Sequence, residues 1–445
     1  MTGTPDILAT IEEKRIRFVD LWFTDITGGV KSVTIPASQL ENAMENGQSF
    51  DGSSLESFTR VAESDMLLMP DVDTFTIMPW EADHERTARL ICNVHTIHGD
   101  PFIGDPRVAL IRVLEQAKEM GYAYKTGMEL EFFLFHENDI AGQPLRPIDG
   151  SSYFDLANDE VQLIRRRMLT TLKDMSIEVV SSHHENGSGQ HEIDLMFDHA
   201  LDSADRIMTA RVALKAVARQ HNLCCTFMPR PSMDLPGSGM HTHQSLHDSD
   251  SGANVFGSSD DNDDIGLSDV AQQFLAGQLA HARAMAAILA PLVNSYKRLG
   301  TSFEAPVYVT WAHINRAALI RVPAVESRGA DHARVEMRLP DPSSNPYLAS
   351  AVMLAAGLDG IQQKMQLTNP LEETILQQNR ARLRQVEVLP NSLRQALEAL
   401  AEDNVVLGAL GPYISDRYLD AKRQEYDEYS RQVTAWELQR YLGRY

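Results

Sequence analysis

The sequence predicts an α+β protein of two domains, a small and mostly β part over residues 1–104 and a larger mixed part over 105–445. Three observations carry this. A chain of 445 residues exceeds the roughly 250–300 that one hydrophobic core usually supports. Period-2 apolar patterns crowd into the first hundred residues, whereas long helical patterns come after them. The later part also returns to period 2 in four short runs, so helices and strands share it. Taken in order, residues 15–33 (RIRFVDLWFTDITGGVKSV) alternate apolar and polar positions on either side of a Thr-Gly-Gly turn and predict a β-hairpin. Strands are expected over 74–78 and 88–94. Asp105-Pro106 then opens a helix whose apolar positions Val108, Ile111, Leu114 and Ala117 recur every three residues before Gly121 ends it. Helical stretches follow over 161–175, 204–221 and 267–289. Residues 247–264, rich in Asp, Ser and Gly, predict an exposed loop. No internal repeat of solenoid length is present.

The composition narrows the function class. The formal charge is −22 and the sequence pI about 5.1, with no basic block, which argues against a nucleic-acid binder. Cys92, Cys224 and Cys225 are too few and too close together for a disulfide framework, so a reducing, cytosolic compartment is expected. Residues 1–15 lack an apolar core of signal-peptide length. The longest apolar stretch, 284–293, is short and contains Pro291, so no membrane span is expected.

The chemistry lies in the period-2 runs. In Met128-Glu129-Leu130-Glu131-Phe132-Phe133-Leu134-Phe135 an extended strand turns Glu129 and Glu131 to one face and Leu130, Phe132 and Leu134 to the core. Two carboxylates about 7 Å apart beside aromatic rings repel and lose hydration unless a cation neutralises them. The same arrangement recurs. Glu192 and Asp194 alternate with Ile193, Leu195 and Phe197; His241, His243 and Ser245 share one face; so do Arg334, Glu336 and Arg338. Four such strands predict one curved sheet whose concave face is a polar site. Glu129, Glu131, Glu185, Glu192 and Glu336 with His241 form an oxygen-rich, thiolate-free ligand set, suited to two Mg²⁺ or Mn²⁺ ions. A zinc site built from His183, His184, His241 and His243 is the weaker reading, because no cysteine stands at ligand spacing; His184 alone reads as a core histidine. Arg298, Arg316, Arg321, Arg334 and Arg338 cluster in one stretch and suit carboxylates or phosphates. Gly28-Gly29-Val30-Lys31-Ser32 has the wrong spacing for a phosphate loop, so a bound ATP would be held by metals and arginines.

These motifs resemble a type I glutamine synthetase along nearly the whole chain. They run from Asp51-Gly52-Ser53-Ser54 through Glu129-Leu130-Glu131-Phe132-Phe133, His183-His184-Glu185, Gly189-Gln190-His191-Glu192 and Gly237-Ser238-Gly239-Met240-His241-Thr242-His243. They continue in Asn294-Ser295-Tyr296-Lys297-Arg298-Leu299, Glu304-Ala305-Pro306, Asn315-Arg316, Pro340-Asp341-Pro342 and Asn345-Pro346-Tyr347-Leu348. The resemblance implies an N-terminal β-grasp domain, a catalytic domain with a mainly antiparallel sheet and flanking helices, and double-ring dodecamers with active sites between subunits. It implies Glu131, Glu185 and Glu192 on a first metal and Glu129, His241 and Glu336 on a second. Gly237, Arg298 and Arg338 fall at glutamate-binding positions, and His243, Ser245, Arg334, Arg321 and Phe197 at ATP-binding ones. Arg316 falls at the position that stabilises phosphoryl transfer. Asp51 from the adjacent subunit is implied as base, with Glu185, Tyr153, Ser54 and Glu304 forming an ammonium pocket and Glu304 lying in a flap over 300–306. The implied activity is ATP-dependent ligation of ammonia to glutamate.

Several positions depart from that pattern. Pro236 stands where an Asn usually precedes Gly-Ser-Gly-Met-His. Asn186-Gly187-Ser188 replaces the common Val-Ala-Pro, and the flap reads Gly300-Thr301-Ser302-Phe303 before Glu304. Some relatives with Pro at that point resemble ligases joining glutamate to amines or polyamines, which is the alternative reading. Asn369-Pro370-Leu371-Glu372 lacks the tyrosine loop that adenylylated relatives carry, so that control is expected to be absent. Arg60 resembles the arginine of the feedback-inhibited α subgroup.

Overall fold

The structure is a computed structural model that describes residues 4–54, 65–81, 86–137, 146–156, 159–258, 266–299, 305–323, 330–372 and 386–445. The expected hairpin is present as β1 (Phe18–Thr24) and β2 (Val30–Pro36), paired antiparallel. Its turn is built by Asp25, whose Oδ1 accepts from Thr27 N at 2.9 Å, Thr27 Oγ1 at 2.8 Å and Gly29 N at 2.8 Å, while Gly28 takes φ +91°. With β3 (Gln48–Asp51), β4 (Asp65–Ile77) and β5 (Thr87–Thr96) it forms a sheet ordered β2-β1-β5-β4-β3 with β1 and β5 parallel. Ile7 and Ile11 of the helix Thr4–Lys14 and Leu40 and Ala43 of the helix Leu40–Asn46 join its core. This is the β-grasp arrangement.

Asp105 caps the helix Pro106–Glu119. One carboxylate oxygen accepts from Arg107 N at 2.9 Å and the other from Val94 N at 2.8 Å, so helix and β5 share one buried anchor. Arg107 extends the link. It pairs bidentately with Asp205 at 3.0 and 2.8 Å, reaches Asp71 at 2.7 Å and donates to Asn93 at 2.8 Å. Among the described residues, the larger apolar core runs from Ile7 to Tyr418 without a break at residue 104.

The second sheet holds β6 (Tyr122–His136), β7 (Val179–His184), β8 (Gln190–Leu195), β9 (Asp198–His199), β10 (Leu223–Thr226), β11 (Thr242–Asp248), β12 (Trp311–Ala312), β13 (Ile320–Arg321) and β14 (Val335–Met337). Its order is β12-β13-β14-β11-β6-β8-β7, with β9 and β10 also on β6, and among the described residues only β12 and β13 run parallel. Along β6, residues from Tyr122 to Met128 pair with β11 and those from Glu129 to Phe133 with β8. Leu130, Phe132 and Leu134 enter the smaller core, packed with the helices Asp159–Asp174 and Ala200–Gln220.

Three expectations need correction. The helix read over 267–289 is two, Asp269–Ala280 and Ala282–Leu289, broken at His281, whose ring is held by Asp403 at 2.7 Å and Asp359 at 3.1 Å. The loop read over 247–264 is exposed only over residues 249–253 in its described portion; Phe256 is fully buried, because Asn254 Nδ2 donates to the carbonyls of Asp331 (3.0 Å) and Ala333 (2.8 Å) and turns the chain inward. Phe197 does not continue the apolar face of β8, since the strand ends at Leu195. At the far end, the helix Ala435–Tyr441 buries none of its residues, and Val433, Trp436, Leu442 and Tyr445 are exposed. Among the described residues no helix is long and apolar enough to cross a membrane.

Candidate active site

Strand register assembles the charged positions. Across β6 and β8, Glu129 faces Asp194 and Glu131 faces Glu192; across β11 and β14, His243 faces Glu336. Glu129, His241 and Glu336 bring ligand atoms within 4.8 Å of one another. His241 Nδ1 lies 3.1 Å from Glu129 and 3.9 Å from Glu336, and His243 Nε2 lies 2.7 Å from Glu129. Glu336 is also paired with Arg338 and, at 2.9 Å, with Arg321. Beside this set stands another, of His183, Glu185 and Glu192, with His183 Nε2 2.9 Å from Glu185 and 3.8 Å from Glu192. Glu131 sits between the sets, accepting from Gln190 Nε2 at 3.0 Å.

The electrostatics distinguish these carboxyls. Burial raises Glu129, but hydrogen bonds from His241 and His243 overcome it and hold the group well below the usual carboxylate range. Glu336 is lowered in the same way, with burial outweighed by Arg338 and the two histidines. Burial and then the Glu185 charge push Glu131 up to about 8, and burial with Glu131 pushes Glu192 higher still. Buried carboxyls crowded until they resist ionising are the environment a cation relieves. The donor set, carboxylates with one or two imidazoles and no thiolate, fits hard divalent ions.

Two hollows flank this face. A cavity of about 470 Å³ is lined by Phe197, His243, Ser245 and Arg334, together with Asp194, Lys125 and Asn254. On the other side is a smaller cleft among Glu131, Glu185, Asn186, Pro236, Gly237 and Arg338. Arg298 also lines the cleft, its guanidinium fixed by the carbonyls of Leu339 (2.8 Å), Pro340 (3.3 Å) and Arg338 (3.0 Å). Gly239 is what lets these groups converge: a Cβ there would stand 2.8 Å from Arg298 Nη2 and from His241 Nε2 and 3.1 Å from Glu131. Two of the departures in the sequence touch each other, because a Cβ on Gly187 would meet the Pro236 ring at 2.8 Å. The ring fills the space an alanine at 187 would need.

Residues 103–441 match the family described as "Glutamine synthetase, catalytic domain", and residues 15–97 that described as "Glutamine synthetase, beta-Grasp domain". The chain belongs to the glutamine synthetase family. It is 46% identical over 443 residues to a glutamine synthetase of Halobacterium salinarum, covering 99% of this chain and 96% of that one. It is 44% identical to glutamine synthetases of Clostridium saccharobutylicum and Staphylococcus aureus, covering 99% of this chain and 98% of each. Among solved structures it is similar to those described as "GmaS/ADP complex-Conformation 1" (TM-score 0.88, 32% identity, 100% of both chains) and "Apo GmaS without ligand" (TM-score 0.86, 32% identity, 99% of this chain and 100% of that one).

The remaining positions suggested by resemblance to the glutamine synthetase family fall as follows. Tyr153 hydrogen-bonds Arg316 and packs edge-on to His183 at 5.5 Å, which brings both to the second acidic set. Arg321 is absent from the lining of the large cavity and pairs with Glu336 instead. Asp51 ends β3, its Oδ1 accepting from Ser53 N (2.9 Å) and Oγ (2.6 Å), and Ser54 lies in the short turn Gly52–Ser54. Arg60 and Glu304 lie outside the described residues. Sequence reading gave no role to Gln190 or Asp149, and considered His183 only for zinc. Their signal was weak: His183 lies on β7 and meets Glu192 only through the register of β7 on β8.

Proposed function

We propose that this chain ligates ammonia to the γ-carboxylate of L-glutamate at the expense of ATP, through γ-glutamyl phosphate, releasing L-glutamine, ADP and phosphate. The observation that supports this is the pair of acid-and-imidazole sets beside a cavity of about 470 Å³ and a smaller cleft edged by Arg298 and Arg338. A carboxylate is a poor acyl donor to ammonia, so the reaction needs an activating phosphoryl transfer and protection of the product from water. Phe197, His243, Ser245 and Arg334 would hold the nucleotide. Gly237, Arg298 and Arg338 would hold glutamate, with Arg298 fixed by three carbonyls before any substrate arrives. Glu131, Glu185 and Glu192 would hold one divalent ion, Mg²⁺ or Mn²⁺, and Glu129, His241 and Glu336 another. When bound, such ions neutralise charge on the transferring phosphoryl group.

Arg316, hydrogen-bonded to Tyr153, would meet charge developing on that group. Asp51 of an adjacent subunit would take the proton from ammonium, in a pocket completed by Glu185, Tyr153, Ser54 and Glu304. That arrangement requires an oligomer, and we favour a cytosolic dodecamer of two rings; the unburied apolar residues of the helix Ala435–Tyr441 supply surface for self-association. The alternative, ligation of an organic amine, draws support from Pro236 in the cleft wall. Measuring glutamate-dependent phosphate release with ammonium, ethylamine, ethanolamine and putrescine separates them. Saturation by putrescine far below the ammonium requirement would replace the first reading with the second.

A further inference from the structure

Beneath the acidic set on β7 and β8 lies a buried group that the reaction does not use directly. Asp149, its side chain 3% exposed, sends one oxygen, Oδ1, to two places. It accepts from Gly189 N at 2.9 Å and meets His184 Nε2 at 3.1 Å. The other ring nitrogen of His184 lies 2.7 Å from the Glu185 carbonyl. One carboxylate therefore grips both ends of the 185–189 turn, directly at Gly189 and through an imidazole at Glu185. Between those ends lie Asn186, which lines the cleft, and Gly187, against the Pro236 ring. Immediately after the turn comes β8 with Glu192.

The chain around Asp149 is fastened to the same elements. Before it, Pro147 bridges Phe135 and Ile148 N donates to Leu134 O at 3.3 Å, both on β6. After it, Phe154 N donates to His184 O at 3.2 Å, and the rings of Tyr153 and Phe154 lie 5.5 and 4.9 Å from that of His183. Residues 147–154 thus cross the turn as a strap, and Asp149 is its buried attachment. The strap carries Tyr153 and the turn carries Glu185, so the separation of these two residues depends on the Asp149 attachment together with the Phe154 N to His184 O bond.

We infer that Asp149 is a positioning residue for the nitrogen-donor pocket, fixing Glu185 of the turn against Tyr153 of the strap. The inference rests on the proposed reading that Glu185 and Tyr153 border that pocket. Removing the carboxylate leaves the Gly189 N–H and the His184 ring without their partner, and the turn is then free to shift as a unit. Outer supports of this kind typically cost roughly 10–100-fold when removed. At saturating Mg²⁺, Asp149→Ala is expected to raise the KM for ammonium by about tenfold or more, while the KM for glutamate and for ATP stay within roughly twofold. Asp149→Asn retains an acceptor for Gly189 N–H and is expected to recover most of the loss. A general loss of packing would move all three KM values and the melting temperature together, without rescue by Asn.

The test is steady-state kinetics of both variants with each substrate varied, alongside Tyr153→Phe and thermal melts of all proteins. A selective ammonium effect in Asp149→Ala that Asn rescues supports the inference. If the ammonium KM is unchanged in both Asp149 variants but raised in Tyr153→Phe, the pocket reading stands and the inference is overturned. If Tyr153→Phe also leaves it unchanged, the pocket reading itself fails and takes the inference with it. Should Asp149→Ala not fold, Asp149→Ser, whose shorter side chain cannot reach both Gly189 N and His184 Nε2, takes its place, and an ammonium KM at parent level in that protein decides against the inference.

Discussion

Glu129 lines the large cavity beside His241 and His243, and replacing it with Gln isolates what its charge does, because the amide keeps the shape. The carboxylate accepts from His241 at 3.1 Å and His243 at 2.7 Å, and those bonds hold its pKa down. Hydrogen bonds to charged groups are worth about 1.5–3 kcal/mol, against about 0.5–1.5 for neutral ones, so the charge contributes roughly 1–1.5 kcal/mol through each of two contacts. A bound divalent ion replaces the histidines as countercharge and loses at least that sum, about 2–3 kcal/mol, when the charge is removed. Converted at about 1.4 kcal/mol per tenfold, Mn²⁺ affinity at this site falls roughly 30- to 140-fold in Glu129→Gln. Calorimetric titration of Mn²⁺ into parent and variant reads the affinity directly. Activity measured against Mn²⁺ concentration should shift by a similar factor and recover in part at high Mn²⁺. A variant whose Mn²⁺ affinity lies within threefold of the parent would refute the assignment of Glu129 as a ligand.

Three further outcomes follow from the geometry. Asp51→Asn is expected to leave γ-glutamyl phosphate formation largely intact and to slow amide formation by roughly 10²–10⁴; equal losses in both steps, resolved by rapid quench, would remove Asp51 from the role of base. Burial opposes charge on His281, but Asp403 and Asp359 outweigh it and raise its pKa above 6.5. The stability this pairing adds is therefore complete below pH 6.5 and lost as pH rises through the raised folded value. The melting-temperature advantage of the parent over His281→Gln should shrink between pH 6 and pH 9, and a constant gap would contradict the pairing. Arg107→Met leaves the buried Asp205 with Tyr347 as its remaining strong partner among the described residues, at a cost of roughly 3–5 kcal/mol; an unchanged melting temperature would show that Arg107 does not hold the first sheet to the helix Ala200–Gln220.

What could be read from the sequence was what a single strand determines. Glu129 and Glu131 had to share a face because their spacing is the strand period, and the same holds for His241 with His243 and for Glu192 with Asp194. Which carboxylate meets which histidine depends on register between strands, and that is not written locally. His183 therefore joined the Glu185 and Glu192 set only once β7 lay on β8. The break at His281 went unseen because its partners lie 78 and 122 residues further along the chain. Phe256 sits in so polar a segment that composition read it as solvated, whereas two carbonyl contacts of Asn254 turn it inward. The helix Thr4–Lys14 has a local signal, Ile7 and Ile11 four apart, but two apolar positions in so short a segment are too few to stand out from a polar terminus.

The position of β6 between β11 and β8 has a mechanical consequence. Glu129 and Glu131 hang from a backbone held on both edges, their N–H groups donating to His241 O at 3.0 Å and Gly239 O at 3.3 Å on one side while β8 pairs on the other. Shifting one carboxylate relative to the other by moving main chain would break ladders on both sides at once. Exchange of one divalent ion for another of different radius must then be absorbed by side-chain torsions alone. Amide hydrogens from Met128 to Phe133 should accordingly be among the slowest in the molecule to exchange with deuterium, with or without a bound ion. Any closure over the reacting groups is left to chain outside this sheet, so the centre can serve as the fixed anvil against which the rest of the site works.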